Sequence, residues 1–390
     1  KNQFFEPQPF CRRISASHAE KTSFLQRRTA LLTLPLETSA AQARRTDTAG
    51  PLNPHTRART MPVLAAVEGG GTTYVVAIAK DKPENIIERA SFPTTTPEET
   101  LSKCKAWLRQ RSFDALGIAT FGPVDPRTSS KTYGHITKTP KKLWRDADVV
   151  GALDIFGVPV KFDTDVNAPA LSEYRAMIDK GEDPSCVAYA TVGTGVGVGL
   201  VVNGAPVHGL LHPEAGHACV PRYPGDDFAG HNPSLNCPGW AEVEAMCASG
   251  ALAKRAGLND TAGLKDLPDD HPVWDVAAHY LAALCANLIL VVSPEKIVLS
   301  GGVMLRASLF PRIRAKTVQY LNGYIPVPAV ASAAAAETLI VPSPHGNDAG
   351  IIGALTLAQD ALGGGSSSPC RLSLMGGAFA AGALLAALLR

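Results

Sequence analysis

The sequence has little charge, few aromatic rings and no closely paired cysteines. Charged residues make up 18% of its 390 positions and aromatics 6%, against 45% hydrophobic. That balance excludes disorder throughout and leaves enough apolar side chains for the cores of two domains. No C-x-x-C pair occurs, and the eight cysteines, at 11, 104, 186, 219, 237, 247, 285 and 370, are widely scattered. A disulfide framework is therefore not expected, and the simpler compartment is a reducing one, the cytoplasm. Long apolar runs are scarce. The uncharged stretch 372–389 just reaches the length of a bilayer-spanning helix, but its Ala and Gly make it weakly apolar, so a membrane anchor is the minor reading. An excess of positive charge is missing from most of the chain as well. Residues 1–60 hold ten Lys or Arg against four Asp or Glu, leaving 27 basic and 31 acidic residues in 61–390, which disfavours nucleic acid as a partner.

The first methionine is Met61, so the sequence is expected either to lack its true start or to carry untranslated sequence ahead of one. Residues 1–60, rich in Arg, Ser, Thr and Ala, read either as a plastid or other organellar transit peptide or as a disordered leader before an initiating Met61. At the other end, GGGSSS at 363–368 is a flexible linker. The expected division is a leader at 1–60, an N-terminal domain at 61–166, a C-terminal domain at 167–362 and an appendage at 363–390.

Within the body, a strand at 63–67, a glycine turn and a second apolar run at 74–79 predict a hairpin rather than a dinucleotide-binding strand-to-helix turn. A helix is expected at 97–111 and a buried strand at 115–119. Further on come a helix at 149–156, a strand at 158–162 and a helix from about 168 to 179. Strand, glycine turn and strand recur at 186–192, 193–197 and 198–202, about 125 residues after the first. Two related halves, each aiming a glycine turn at a shared cleft, follow from that repetition. A buried helix is expected at 274–292, a strand at 296–299 and a turn at Gly301-Gly302.

Glycine turns let backbone N–H groups approach a ligand closely, and N–H groups from two such turns can hold phosphate oxygens. The two candidates are Glu68-Gly69-Gly70-Gly71-Thr72-Thr73 and Gly193-Thr194-Gly195-Val196-Gly197. Each alone reads equally as a hairpin turn using glycine for its conformation. Glu68 adds a carboxylate oxygen of the kind Mg²⁺ takes. Asp165, expected at a strand's carboxyl end beside a helix start, is the candidate general base, with an ordinary helix cap as the alternative for it or for Asp163. His212, His217, Cys219, His231, Cys237 and Glu242 gather borderline ligands within a short stretch, which permits a structural zinc site or merely a polar loop.

These residues occur in ordered blocks: EGGGTTYVVAI from Glu68, TFGPVD from Thr120, YGHITKTPK from Tyr133, FDTDVNAPALSEY from Phe162, TVGTGVGVGL from Thr191, HPEAGH from His212, PGDDFAG from Pro224, LSGGVM from Leu299 and NDAGIIGAL from Asn347. In that order they resemble the ROK sugar kinases, most closely the bacterial-type fructokinase branch, over about 300 residues from Met61. The resemblance implies an α/β, two-domain ribonuclease-H-like fold of the actin and hexokinase type. It implies ATP-dependent phosphorylation of the 6-hydroxyl of fructose, with glucose or mannose as the alternative sugar and a non-catalytic sugar sensor as the alternative function. Glu68, Gly69, Gly70, Gly71, Thr72 and Thr73 would serve ATP and Mg²⁺. Gly193, Thr194, Gly195 and Gly197 would form the second phosphate loop, and Gly301 and Gly302 the adenosine turn. Asp165 falls on the family's base, and Gly122, Asn167, Glu214 and His217 fall in or beside its sugar-binding blocks. A homodimer is also implied.

Two departures accompany the resemblance. Thr73 stands where the family's first loop usually ends in Lys. The zinc cluster keeps His217 and Cys237, with His231 as a possible substitute ligand and Glu242 where a second Cys would fall. Without zinc, packing around Trp240 is expected to hold the substrate loop.

Overall fold

The computed structural model describes residues 61–364. The readings made for the leader at 1–60 and for the tail beyond residue 364 lie outside the described residues. The first half begins with β1 (Val63–Gly69), β2 (Thr73–Lys80), β3 (Ile86–Pro93), α1 (Pro97–Leu108) and β4 (Ala115–Thr120). It continues through α2 (Val149–Leu153), β5 (Val160–Thr164) and α3 (Asn167–Asp179). Then follow β6 (Cys186–Val192), β7 (Val196–Val202), the short β8 (Ala205–Pro206), β9 (Cys219–Val220) and β10 (Ala241–Glu242), and the helices α4 (Val243–Cys247) and α5 (Ser249–Arg255). The chain closes with α6 (Val273–Val292), β11 (Lys296–Ser300), α7 (Leu309–Leu321), β12 (Ile340–Pro342) and α8 (Ala349–Gln359).

Two five-stranded sheets carry the same plan. The first runs β3-β2-β1-β4-β5 and the second, read from its other edge, β8-β7-β6-β11-β12. In each, an antiparallel hairpin is extended on one side by two parallel strands: β4 and β5 beside β1, β11 and β12 beside β6. The repeat of glycine-turned hairpins in the sequence is thus a repeat of whole sheets. Strands such as β4, buried along its entire length, are apolar without alternation because they are covered on both faces.

α3 and α8 supply the layer between the sheets. Residues of both helices form one buried cluster with Leu64, Ala66 and Ala115 of the first sheet and Val187, Tyr189 and Val298 of the second. α8 lies so close on β4 that a Cβ at Gly117 would stand 1.8 Å from the carbonyl oxygen of Ala354. A larger core on the other face of the second sheet is built around α6. That helix is 20 residues long and apolar enough to cross a membrane by length and composition, yet Trp274, Tyr280, Leu281 and Leu284 are buried against its neighbours.

Element boundaries depart from expectation where local chemistry stops or starts a segment. α1 begins as expected, capped by the Thr96 hydroxyl accepting from the Glu99 N–H, with Pro97 in its first turn, but ends at Leu108. α2 ends at Leu153 rather than 156, because Asp154 leaves helical geometry and Gly157 adopts φ +68°. β5 starts after Pro159, which donates no ladder hydrogen bond, and extends to Thr164.

Candidate active site

The two glycine turns face a cleft of about 710 Å³ lined, among others, by Gly71, Gly122, Asp165, Gly193, Glu214 and Glu244. The first turn is closed by the Gly70 N–H donating to the Thr73 carbonyl (2.9 Å) and pinned by the Thr94 hydroxyl on the Gly70 carbonyl (2.8 Å). The second is closed by Gly193 N–H on the Gly195 carbonyl (2.8 Å), and the Ser249 N–H on Gly193 ties it to the start of α5 (2.8 Å). Gly71, Gly193, Thr194, Gly195 and Gly197 line the cleft itself. Glu68, Gly69, Gly70, Thr72 and Thr73 form the body of the first turn behind Gly71. Gly302 lines an adjoining cavity of about 750 Å³ that also meets Gly193, Thr194, Trp274, Arg306 and Ser308. Gly301, at φ +90°, makes the bend before it.

Asp165 sits just beyond β5, its N–H donating to the Thr120 carbonyl at the end of β4 (3.0 Å). Its carboxylate reaches the cleft and makes no hydrogen bond to another residue among the described residues. Burial raises its pKa from 3.8 to about 7, and the negative charges of Glu68 and Glu214 push in the same direction. Burial likewise raises Glu68 to about 7. Asp163 differs in every respect: it is buried and fully engaged by the Thr164 N–H (2.8 Å), the Asn167 amide (3.0 Å) and His208 Nε2 (2.9 Å). The start of α3 is served by the Thr164 hydroxyl, which accepts from the Asn167 N–H. Neither aspartate is needed as a helix cap.

Asn167 does not line the cleft. It is fully buried, its amide donating to Asp163 and the Val207 carbonyl and its oxygen accepting from the Leu200 N–H. Its work is to hold β5, α3 and β7 together behind Asp165. Gly122 lines the cleft where it passes His212, whose Nε2 accepts from the Val124 N–H (3.0 Å). Glu214 and His217 also line the cleft, Glu214 within 3.7 Å of His212.

The zinc reading is corrected by the partners its ligands have. Cys237 is disulfide-bonded to Cys219, a pairing the scattered cysteines did not suggest. His217 Nδ1 lies 2.5 Å from Glu242 Oε1, and His231 Nε2 reaches the Asn232 amide at 3.4 Å. No group of three metal-binding side chains is assembled among the described residues. The donors therefore do not fit zinc. The loop's anchor is Glu242, whose second oxygen accepts from the N–H groups of Ser234 (2.8 Å) and Leu235 (3.0 Å), the residues that bring the loop to the cleft. Burial opposes a charge on His217, but Glu242, Glu244 and Glu214 outweigh it and raise its pKa. Trp240, expected to pack the loop in zinc's absence, is 52% exposed.

Several further residues reach the cleft. Lys138 and Lys141, within the YGHITKTPK block, and Ser234 and Leu235, which carried no sequence signal of their own, reach it from loops. Glu244 does so from α4, one carboxylate oxygen accepting from the Val196 N–H (2.8 Å) beside Gly195. In the adjoining cavity, Arg306 stacks over Trp274 at 4.2 Å from the ring centroid and donates to Asp269 and the Leu267 carbonyl.

Comparison with known proteins agrees with this architecture. The profile of the ROK family matches residues 64–361. A fructokinase of Pediococcus pentosaceus is 41% identical over 303 residues, covering 77% of this chain and 99% of that protein. A fructokinase of Zymomonas mobilis is 38% identical over 308 residues, covering 76% and 96%. Among solved structures, the ROK hexokinase of Thermus thermophilus superposes with a TM-score of 0.58 at 24% identity, covering 78% of this chain and all of that one.

Proposed function

The chain belongs to the ROK family, and we infer that it is an ATP-dependent fructokinase, transferring the γ-phosphoryl group of ATP to the 6-hydroxyl of D-fructose. The observation that carries the chemistry is Asp165, a cleft-lining carboxylate with no hydrogen-bonded partner side chain among the described residues and a pKa raised to about 7. Such a group accepts a hydroxyl proton at physiological pH and returns it to water after turnover. The fructokinase relatives, matched over nearly their whole lengths, support the choice of sugar.

In this reading the N–H groups of the Gly71 and Gly193–Gly197 turns cradle the phosphates from both sheets. The cavity between Gly302, Trp274 and Arg306 receives the nucleoside. Glu214, His217 and Gly122 border the sugar. Asn167 acts indirectly, by fixing the backbone around Asp165. Glu68 offers a hard carboxylate oxygen of the kind that suits Mg²⁺, directly or through water, and the ion would offset phosphate charge when bound. Asp165 orients the sugar hydroxyl and takes its proton, while the turns keep the transferring group in line with it.

A homodimer is the assembly proposed on the resemblance, and sedimentation analysis tests it. A cytoplasmic site of action is supported by the free, buried thiols of Cys104, Cys186, Cys247 and Cys285, and the Cys219–Cys237 bond is the observation against it.

Coupled ADP-release assays on the purified chain, with fructose, glucose and mannose offered separately, test the function. Turnover is expected to be greatest with fructose. Equal or faster turnover with glucose would overturn the choice of sugar, and no turnover with any hexose would favour a sensor.

A further inference from the structure

Both glycine turns present N–H groups, but neither contains a cation: Glu68–Thr73 and Gly193–Gly197 hold no Lys or Arg. Carboxylates crowd the same space, with Asp165, Glu214 and Glu244 in the cleft wall and Glu68 beside Asp165. A triphosphate entering here meets side chains of its own sign. Among the described residues lining the cleft, lysine or arginine stands at two positions, Lys138 and Lys141.

These lysines are held differently. Lys138 is exposed, whereas Lys141 is half-buried and lays its stem over the first turn, its Cε 3.4 Å from where a Cβ on Gly71 would stand. The Lys141 carbonyl accepts from the Trp144 N–H (2.8 Å). Trp144 is itself buried, its indole N–H donating to the Thr95 carbonyl (2.8 Å) and its ring stacked on Tyr74 at 5.1 Å and 20°. Tyr74 in turn fills the space beside Gly69 and bonds the Thr120 hydroxyl (2.9 Å). One aromatic stack therefore supports both the first glycine turn and the segment that carries Lys141. Lys103, Lys161 and Lys316 pair with carboxylates, while Lys141 has no such partner among the described residues.

We propose that Lys141 is the catalytic cation of this site, its ammonium contacting the γ-phosphoryl group and stabilising the charge it carries during transfer. The proposal rests on the kinase reading above. In the step, the bond from the γ-phosphorus to the bridging oxygen of ADP breaks and a bond to the sugar 6-oxygen forms. The hydroxyl proton passes to Asp165, and Lys141 keeps its own proton throughout. A flexible stem with a compact charge suits a group that changes position between ATP and the sugar phosphate.

The test compares the full chain with its Lys141→Met, Lys141→Arg and Lys142→Met variants, with Mg²⁺ present. Lys141→Met is expected to lower kcat by about 10²-fold or more, leave the fructose KM unchanged, and weaken binding of ATP but not of ADP in calorimetry. Lys141→Arg should restore part of kcat. Lys142→Met, altering an exposed neighbour outside the cleft, should match wild type, and all melting temperatures should agree. Wild-type kcat in Lys141→Met would overturn the proposal, as would a defect confined to the fructose KM or an equal loss of ATP and ADP binding. A wild-type chain without turnover would overturn the kinase reading itself, an outcome distinct from an active wild type matched by an active Lys141→Met.

Discussion

Asp163 and Asp165 stand two residues apart, and their chemistry is separated by what each is bonded to. Asp163 spends its oxygens on a backbone N–H, an amide and a histidine. Asp165 has none of these, and burial with its acidic neighbours holds its pKa at about 7. Because that pKa is raised, the basic form is gained as pH increases, so kcat/KM for fructose is expected to climb through about pH 7 and level off above it. Glu68, also near 7, repels a charge on Asp165, and the limb belongs to the pair. In Glu68→Gln the limb should move to lower pH, and in Asp165→Asn kcat should fall by roughly 10²–10⁴ while fructose still binds. A pH profile unmoved by Glu68→Gln would separate the two carboxylates. Spacing alone left cap and base open for both aspartates, and only the resemblance pointed to Asp165 as the base. The structure adds that the Thr164 hydroxyl already serves the start of α3.

At the scale of elements, the segment between β9 and β10 shows how a loop is held when its expected metal ligands are engaged elsewhere. β10 pairs with β9 in a register that sets Glu242 opposite Cys219, and the Cys219–Cys237 bond closes the segment between them. Glu242 then reaches forward to His217 and back to the Ser234 and Leu235 N–H groups. Cys219→Ser, or reduction of the wild-type protein, is expected to cost about 3 kcal/mol by releasing a closed loop of this size in the unfolded chain. It should also raise the fructose KM, since Ser234 and Leu235 line the cleft. Thermal melts and fructose saturation curves with and without reductant check both effects. The sequence marked this region as chemically dense, but its cysteines are 18 residues apart and their pairing depends on strands of two residues each, too short to show a periodic pattern.

At the scale of the whole molecule, two sheets of identical strand order are joined through α3 and α8, which places a glycine turn from each on one cleft. α8 comes from the end of the described chain yet packs on β1 and β4, so the first glycine turn and the strand end that carries Asp165 share one framework. Gly117→Val puts atoms where the Ala354 backbone already lies. It is expected to destabilise the protein by about 3 kcal/mol or more, seen as a lowered melting temperature with loss of activity at assay temperature. A variant as stable as wild type would show that α8 can move off β4 without consequence.

The sequence by itself determined the hairpins, the two glycine turns and the buried helix α6, because apolar periodicity and glycine runs act over a few residues and survive as local pattern, and the order of its motif blocks carried the likeness to the family. The likeness between the halves was legible for the same reason. Tertiary structure alone decided that Asn167 stands behind the site, that Cys219 and Cys237 are bonded to one another, that Trp240 faces solvent, and that Lys141 lies on the first glycine turn. Each of these depends on which distant groups share a few ångströms, and burial, hydrogen-bond partners and pKa are properties of that neighbourhood rather than of the residue type.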